Sequence, residues 1–337
     1  MVNKKDSAMK IAFYSEEMNK GHISKIIETL RLHSPQHQYN HYADSRESDA
    51  DLWHCMSPRS SISFMSKAHR SVISLSDLRF ITSPHVYSLS ERLFLLPLYR
   101  YHCRHAARLI THNNLQKSRL IEKLGLEEGQ VEVCASMRHA RSGGSLHHPS
   151  SEEQLSVRAK FDLPDSYLLV VGEIDTMHGH TTILHSIFAL DQRVNVVVYG
   201  RRTTHSDVLL RMVRDVGAAD RVQFIYEMDR ESLPSLYCMA LGMLYAPSFE
   251  SSVEPIVEAL HQGLPMILSD TPLNREVAGA AAIYTPLYDE SAMSAAIKEL
   301  LYNESFRGQL IAQCWAEAKR YSEEALSERL AQIYESV

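Results

Sequence analysis

Two glutamates, Glu250 and Glu258, stand eight positions apart in the run Ala246–Asp270, with Pro255 between them and Gly263-Leu264-Pro265 soon after. Glu258, Ala259 and Leu260 open an apolar helical run, which puts the second carboxylate near a helix start and the first in the loop that feeds it. An ionised carboxylate only accepts hydrogen bonds, and it can take two neighbouring hydroxyls at once. Two of them on one loop-and-helix unit, just past a buried strand, suit a polyhydroxylated ligand. The helix macrodipole alone also favours a carboxylate at a helix start, so Glu258 has a plain structural reading beside the binding one. Glu254, between the pair, reads as a solvated loop carboxylate.

Other candidates for chemistry are weaker. The eighteen histidines include His178 and His180, two apart, and the adjacent His147 and His148, but none has an acidic or cysteine partner at zinc-site spacing. No metal site is expected. There is no Walker loop, no full GxGxxG and no DxD at an interpretable strand end. Ser76-Asp77 closes a strand-like run and serves equally as a turn or helix-cap pair. Arg201 and Arg202, after the glycine turn at Gly200, are either anion contacts or solvated surface arginines. Lys20-Gly21-His22 falls in the first strand-to-helix loop.

The elements that must position these residues alternate along the whole chain. Met9–Ser15, Leu52–Met56, Ser71–Leu75, Arg108–Thr111 and Val131–Cys134 read as buried strands, with a helix predicted over Ile23–Leu32. Arg138–Glu153 carries Gly, Ser, Pro and His without apolar periodicity and reads as a linker. The alternation then restarts. Strands are expected at Tyr167–Val171, Val194–Tyr199, Val222–Ile225, Gly242–Tyr245 and Pro265–Leu268, and helices at Thr181–Leu190, Ser206–Val216 and Ser232–Met239. Ala292–Leu301, Ser305–Arg320 and Ser322–Val337 close the chain as helices. The pattern predicts an α/β fold of two Rossmann-like domains, residues 1–145 and 146–337, with parallel sheets and ligands bound in a cleft at their strand ends. The last helix is expected to pack back on the N-terminal domain.

Composition bounds the class. A chain of 337 residues, 45% hydrophobic and 23% charged, has room for two ordinary cores. Its net charge of -6 argues against a nucleic-acid partner. The five cysteines are scattered without a CxxC and read as reduced thiols of a cytoplasmic protein. Met1–Ala8 is too polar for a secretory leader, and no window is long and apolar enough to span a membrane. Leu93–Tyr101, apolar and then basic, has two readings: peripheral contact with a bilayer, or a core helix broken by Pro97. General burial statistics favour the core helix.

The second half resembles the retaining glycosyltransferases of family four, which have the GT-B fold. The resemblance rests on an ordered set of segments: Val170-Val171-Gly172, then His178-Gly179-His180, then Val198-Tyr199-Gly200, then Asp220–Phe224 and Ser232–Tyr237. The E-x7-E pair, Gly263-Leu264-Pro265, Ser269-Asp270 and Glu276 follow in register. The first half follows the family only in outline. The resemblance implies that Glu258 grips a nucleotide ribose and that Glu250 touches the transferred sugar. It places Gly172 and His178 at the donor diphosphate, with Ser252 and Val253 in the loop nearest the donor. It puts Ser76 and Asp77 where many relatives carry His-Asp beside the donor sugar or acceptor.

Three single positions and one loop depart from the family pattern. Glu173 and His178 stand where an arginine and a lysine usually face the diphosphate, which leaves Arg201 and Arg202 as candidate replacements. Ser76 stands for the histidine, and Ser251-Ser252-Val253 for Gly-Phe-Gly; Val253 disfavours positive φ. The resemblance implies sugar transfer from a nucleotide-sugar donor to a glycan or lipid-linked acceptor, with retention of configuration and no cofactor beyond that co-substrate. Bacterial surface polysaccharide or lipopolysaccharide assembly is the implied setting. The departures leave open a second class: a non-catalytic GT-B relative that binds or scaffolds.

Overall fold

The computed structural model describes residues 8–14, 20–42, 49–57, 68–75, 78–82, 85, 87–135, 148–191, 193–248 and 252–337. The chain divides into two compact units, Met1–Met137 with Glu323–Val337, and Arg138–Ser322. The division therefore falls at the start of the linker-like stretch, whose residues 138–147 lie outside the described ones. The chain's last fifteen residues go with the first unit.

The first unit runs β1 (Lys10–Tyr14), α1 (Lys20–His33), β2 (Gln38–His41), β3 (Leu52–Cys55), β4 (Ser71–Ser74), α2 (Arg79–Thr82), α3 (Leu89–His105), β5 (Arg108–Thr111), α4 (Asn114–Leu124) and β6 (Val131–Val133). The second continues with α5 (Ser151–Phe161), β7 (Leu168–Val171), α6 (His180–Phe188), β8 (Val196–Tyr199), α7 (Thr204–Asp215), β9 (Val222–Ile225) and α8 (Leu233–Cys238). It then runs β10 (Gly242–Tyr245), α9 (Glu254–His261), β11 (Met266–Ser269), α10 (Pro272–Ala278), β12 (Ala282–Thr285), α11 (Glu290–Tyr302) and α12 (Glu304–Ala318). Helix α13 (Glu323–Glu335) returns to the first unit.

Each unit has a parallel sheet, ordered β2-β1-β3-β4-β5-β6 in the first and β12-β11-β10-β7-β8-β9 in the second. The central strands of the second sheet, LLVV, VVVY, GMLY and MILS, are apolar but for the terminal Ser269, because helices cover both faces. Its order is that of a doubly wound nucleotide-binding fold. The direction of winding reverses between β7 and β10, which pair directly. Loops leaving those two strands diverge to opposite faces and open a crevice at the strand ends.

Several elements differ from the sequence reading, each for a local reason. Ser150 caps α5 through a reciprocal box with Glu153, so the last residues assigned to the linker are helical. Lys20, Gly21 and His22 form the first turn of α1 rather than the loop before it. Helix α3 is not broken at Pro97: it runs to His105, since a proline removes one helical hydrogen bond while Leu96, Tyr99 and Cys103 hold the flanking turns in the core. Strands β2 (QYNH) and β12 (AIYT) lie at sheet edges, where covering is incomplete and apolar runs are not required.

Candidate functional site

At the carboxyl ends of β7, β8 and β10 in the second unit lies a cavity of about 540 Å³. Val171, Tyr199 and Tyr245, the last residues of those strands, line it, as do Gly172, Glu173 and His178 from the loop after β7. Ser252, Glu254, Pro255 and Glu258 close a second wall, with Arg230, Leu233 and Tyr237 on a third. The cavity thus sits at the winding reversal, where an open α/β sheet binds its ligands.

Backbone geometry explains the glycines. Gly172 has φ +130°, and a Cβ there would stand 3.0 Å from the His178 ring. Gly200 follows β8 so closely against Gly172 that a Cβ would fall on the Gly172 carbonyl oxygen. Two adjacent strand ends can turn at the same level only without side chains.

The loop after β7 is built around Asp175. Its Oδ1 accepts from the backbone N–H of Met177 at 2.7 Å, the N–H of His178 at 2.9 Å and Nδ1–H of His178 at 2.8 Å. Burial opposes the charged form of Asp175, yet these donors outweigh it and hold its carboxyl below the usual range. The D-x-x-H spacing is the sequence signal for this turn. The loop is tied in turn to the end of β10, where Ser248 N–H donates to the Met177 carbonyl at 2.8 Å.

Glu258 lies in the second turn of α9, which begins at Glu254 rather than at Glu258 itself, because Pro255 is well placed in a first helical turn. Burial raises the Glu258 carboxyl to about 7, and Glu254 adds to the rise; the Tyr237 hydroxyl and the Arg230 charge oppose it. Glu254 is on the cavity wall, half-buried, rather than a solvated loop carboxylate. Tyr245 donates its hydroxyl to the Ser252 carbonyl at 2.9 Å, and so fixes the chain just ahead of α9.

Of the residues singled out in the sequence, the cavity brings together Glu258, Gly172, His178 and Ser252, with Glu173 and Glu254 beside them. Val253 caps α9 at φ -86° and is not on the wall, in keeping with a branched side chain that avoids positive φ. Arg201 and Arg202 are not on it either. Arg201 forms an ion pair with Glu173, and Arg202 pairs with Asp207 at 3.1 Å while covering the Tyr226 ring. Glu250, Ser76 and Asp77 lie outside the described residues. Sequence reasoning missed Arg230, Tyr199, Tyr237 and Tyr245. Tyr199 and Tyr245 close their strands, and Tyr237 lies near the end of α8, just ahead of β10; each was legible only as an apolar residue of its element.

Comparison with known proteins accords with this geometry. Residues 151–315, most of the second unit, match the family model described as glycosyl transferases group 1. The chain is 28% identical over 120 residues to the O-antigen chain mannosyltransferase RfbU of Salmonella typhimurium, a stretch covering 36% of this chain and 34% of that protein. It is 24% identical over 274 residues to the O-antigen chain mannosyltransferase B of Escherichia coli, covering 80% of this chain and 71% of that one. Among solved structures, that of Anabaena Alr3699/HepE in complex with UDP and glucose superposes with a TM-score of 0.70 at 13% identity, over 98% of this chain and 100% of that chain. The shared fold is GT-B: two Rossmann-like units in one chain.

Proposed function

We propose that this chain, whose residues 151–315 match the model of the group 1 glycosyl transferases, moves a hexose from a nucleotide-sugar donor to a glycan or lipid-linked acceptor with retention of configuration. One observation carries the reading: a cavity at the winding reversal of the second sheet, inside the matched segment, holds Glu258 where a carboxylate can accept both ribose hydroxyls. In the reaction the anomeric carbon's bond to the donor phosphate breaks, and a bond to the acceptor oxygen forms on the same face. The acceptor proton passes to the departing phosphate oxygen. No protein base is needed, which suits a serine at position 76. Glu250, Ser76 and Asp77 keep the roles at the transferred sugar that the family resemblance implies. His178, held by Asp175, and Arg230 are the cationic or protonatable groups on the cavity wall available to the diphosphate.

Two relatives are named for O-antigen mannose transfer, which supports bacterial surface polysaccharide as the setting and mannose as the sugar to test first. Among the described residues no helix is long and apolar enough to cross a membrane. A lipid-linked acceptor would be met by peripheral contact at the cytoplasmic face. Helix α3 supports that contact: Leu93 and Phe94 are 62% and 70% exposed, with Tyr101 and Arg104 exposed further along.

The Glu173–Arg201 ion pair favours a second reading, a binding module without turnover, since it withdraws a cation from the site. Incubation with UDP-, GDP-, ADP- and dTDP-sugars separates the two. The enzyme releases nucleotide and is stabilised against heat by one donor, and Glu258→Ala abolishes both effects. Stabilisation without release over long incubation would favour the binding module, and no stabilisation by any donor would overturn the enzyme and favour a scaffold that has lost donor diphosphate binding.

A further inference from the structure

The phenol of Tyr237 hydrogen-bonds to the Glu258 carboxylate. Tyr237 is 1% exposed, on the short helix α8, and lines the cavity wall. A buried phenol needs a hydrogen-bond partner, and this one finds it in the Glu258 carboxylate. Tyr245 meanwhile pins the Ser252 carbonyl, two residues before α9 begins. Two tyrosines from two elements therefore clamp the helix start that bears Glu258, one through the backbone and one through the carboxylate itself.

We infer that Tyr237 is a positioning residue of the nucleotide site: its hydroxyl occupies one side of the Glu258 carboxylate and orients the remaining lone pairs toward the vicinal hydroxyls of a bound ribose. This rests on the proposed function for the ligand and on the cavity for the geometry. A carboxylate has about four lone-pair positions, so one donor from the protein leaves room for a bidentate contact with a diol. The same donor favours the ionised form, which is the better acceptor. The other charged or titratable groups that act on this carboxylate are Glu254 on its own helix, Arg230 ahead of α8, and Tyr199 at the end of β8. Glu254 and burial work against ionisation, and Arg230 supports it.

The test uses the full chain and UDP, GDP and ADP as probes, with binding measured from pH 5.5 to 9. For whichever nucleotide the wild type binds, Tyr237→Phe is expected to weaken affinity by about tenfold at neutral pH, as loss of a hydrogen bond to a charged group does. The pH at which affinity falls to half its alkaline limit should also move upward. In a Glu258→Gln background the same tyrosine substitution should cost clearly less and leave no pH dependence, because only a neutral, non-titrating acceptor then remains for the phenol. Equal affinity in wild type and Tyr237→Phe at every pH would overturn the inference. So would a loss that is uniform in pH and persists beside Glu258→Gln, since that marks a packing defect. A wild type that binds none of the three nucleotides would overturn the functional reading itself, an outcome distinct from either.

Discussion

Glu258 is asked to accept hydrogen bonds near neutral pH from a place that resists its charge. Burial is the larger influence and lifts its carboxyl to about 7, against 4.5 as the ordinary value. Between those two values the folded chain binds a proton that the unfolded chain does not, so stability falls as pH rises through that window, and the loss is complete above about 7. Glu258→Gln removes the titration while keeping an acceptor for Tyr237. It should leave the melting temperature unchanged near pH 4.5 and raise it by roughly 2–4 °C at pH 8, allowing about 1 kcal/mol after solvent screening. Thermal unfolding of both proteins at the two pH values checks this; equal melting temperatures at pH 8 would show that the carboxylate is not held in a costly environment. A ligand that donates to this group recovers the cost on binding, as functional sites commonly do.

At the scale of elements, helix α3 shows where sequence patterning stops being decisive. Leu89, Leu93, Leu96 and Tyr99 all read as apolar, yet only Leu96 and Tyr99 are buried, while Leu89, Leu93 and Phe94 face solvent. Periodicity identifies a helix but cannot tell a core stripe from an apolar face left over. The central strands of the second sheet were legible because burial on both faces demands unbroken apolar runs. The edge strand β2, with Tyr39 buried and polar neighbours around it, was not. In the candidate site, residues announced by charge or glycine, such as Glu258 and Gly172, could be found in the sequence. Tyr237 could not, because nothing local distinguishes a tyrosine that bonds a carboxylate from one that fills a core. The exposed face of α3 gives a direct test. Leu93→Glu with Phe94→Glu should reduce partition onto vesicles containing anionic lipid by at least about tenfold, since two apolar side chains no longer enter the interface. The melting temperature should not fall. Unchanged sedimentation with vesicles would exclude α3 as the contact.

For the whole molecule, the consequential feature is that the first unit is completed by the end of the chain. Helix α13 buries Leu326, Leu330, Ile333 and Tyr334 there, and Arg329 donates to Glu132 at 2.7 Å. The Tyr334 hydroxyl meets Nδ1 of the buried His54 at 2.7 Å, and Ser74 Oγ meets Nε2 at 2.8 Å. Burial lowers His54 to about 3 from 6.5, so the folded state declines a proton that the unfolded state takes up between those values. Stability is therefore lost as pH falls through 6.5 toward 3, the opposite sign to Glu258. Tyr334→Phe keeps the ring packing but leaves one nitrogen of a buried imidazole unpaired, at a cost of about 1–3 kcal/mol. Urea unfolding should show that loss in the transition of the first unit. Affinity for a nucleoside diphosphate, a property assigned to the second unit, should stay at its wild-type value. A variant that unfolds at the wild-type urea concentration would mean that the closing helix is held by its apolar face alone. If nucleotide affinity fell with it, the completion of the first unit would be coupled to the site in the second.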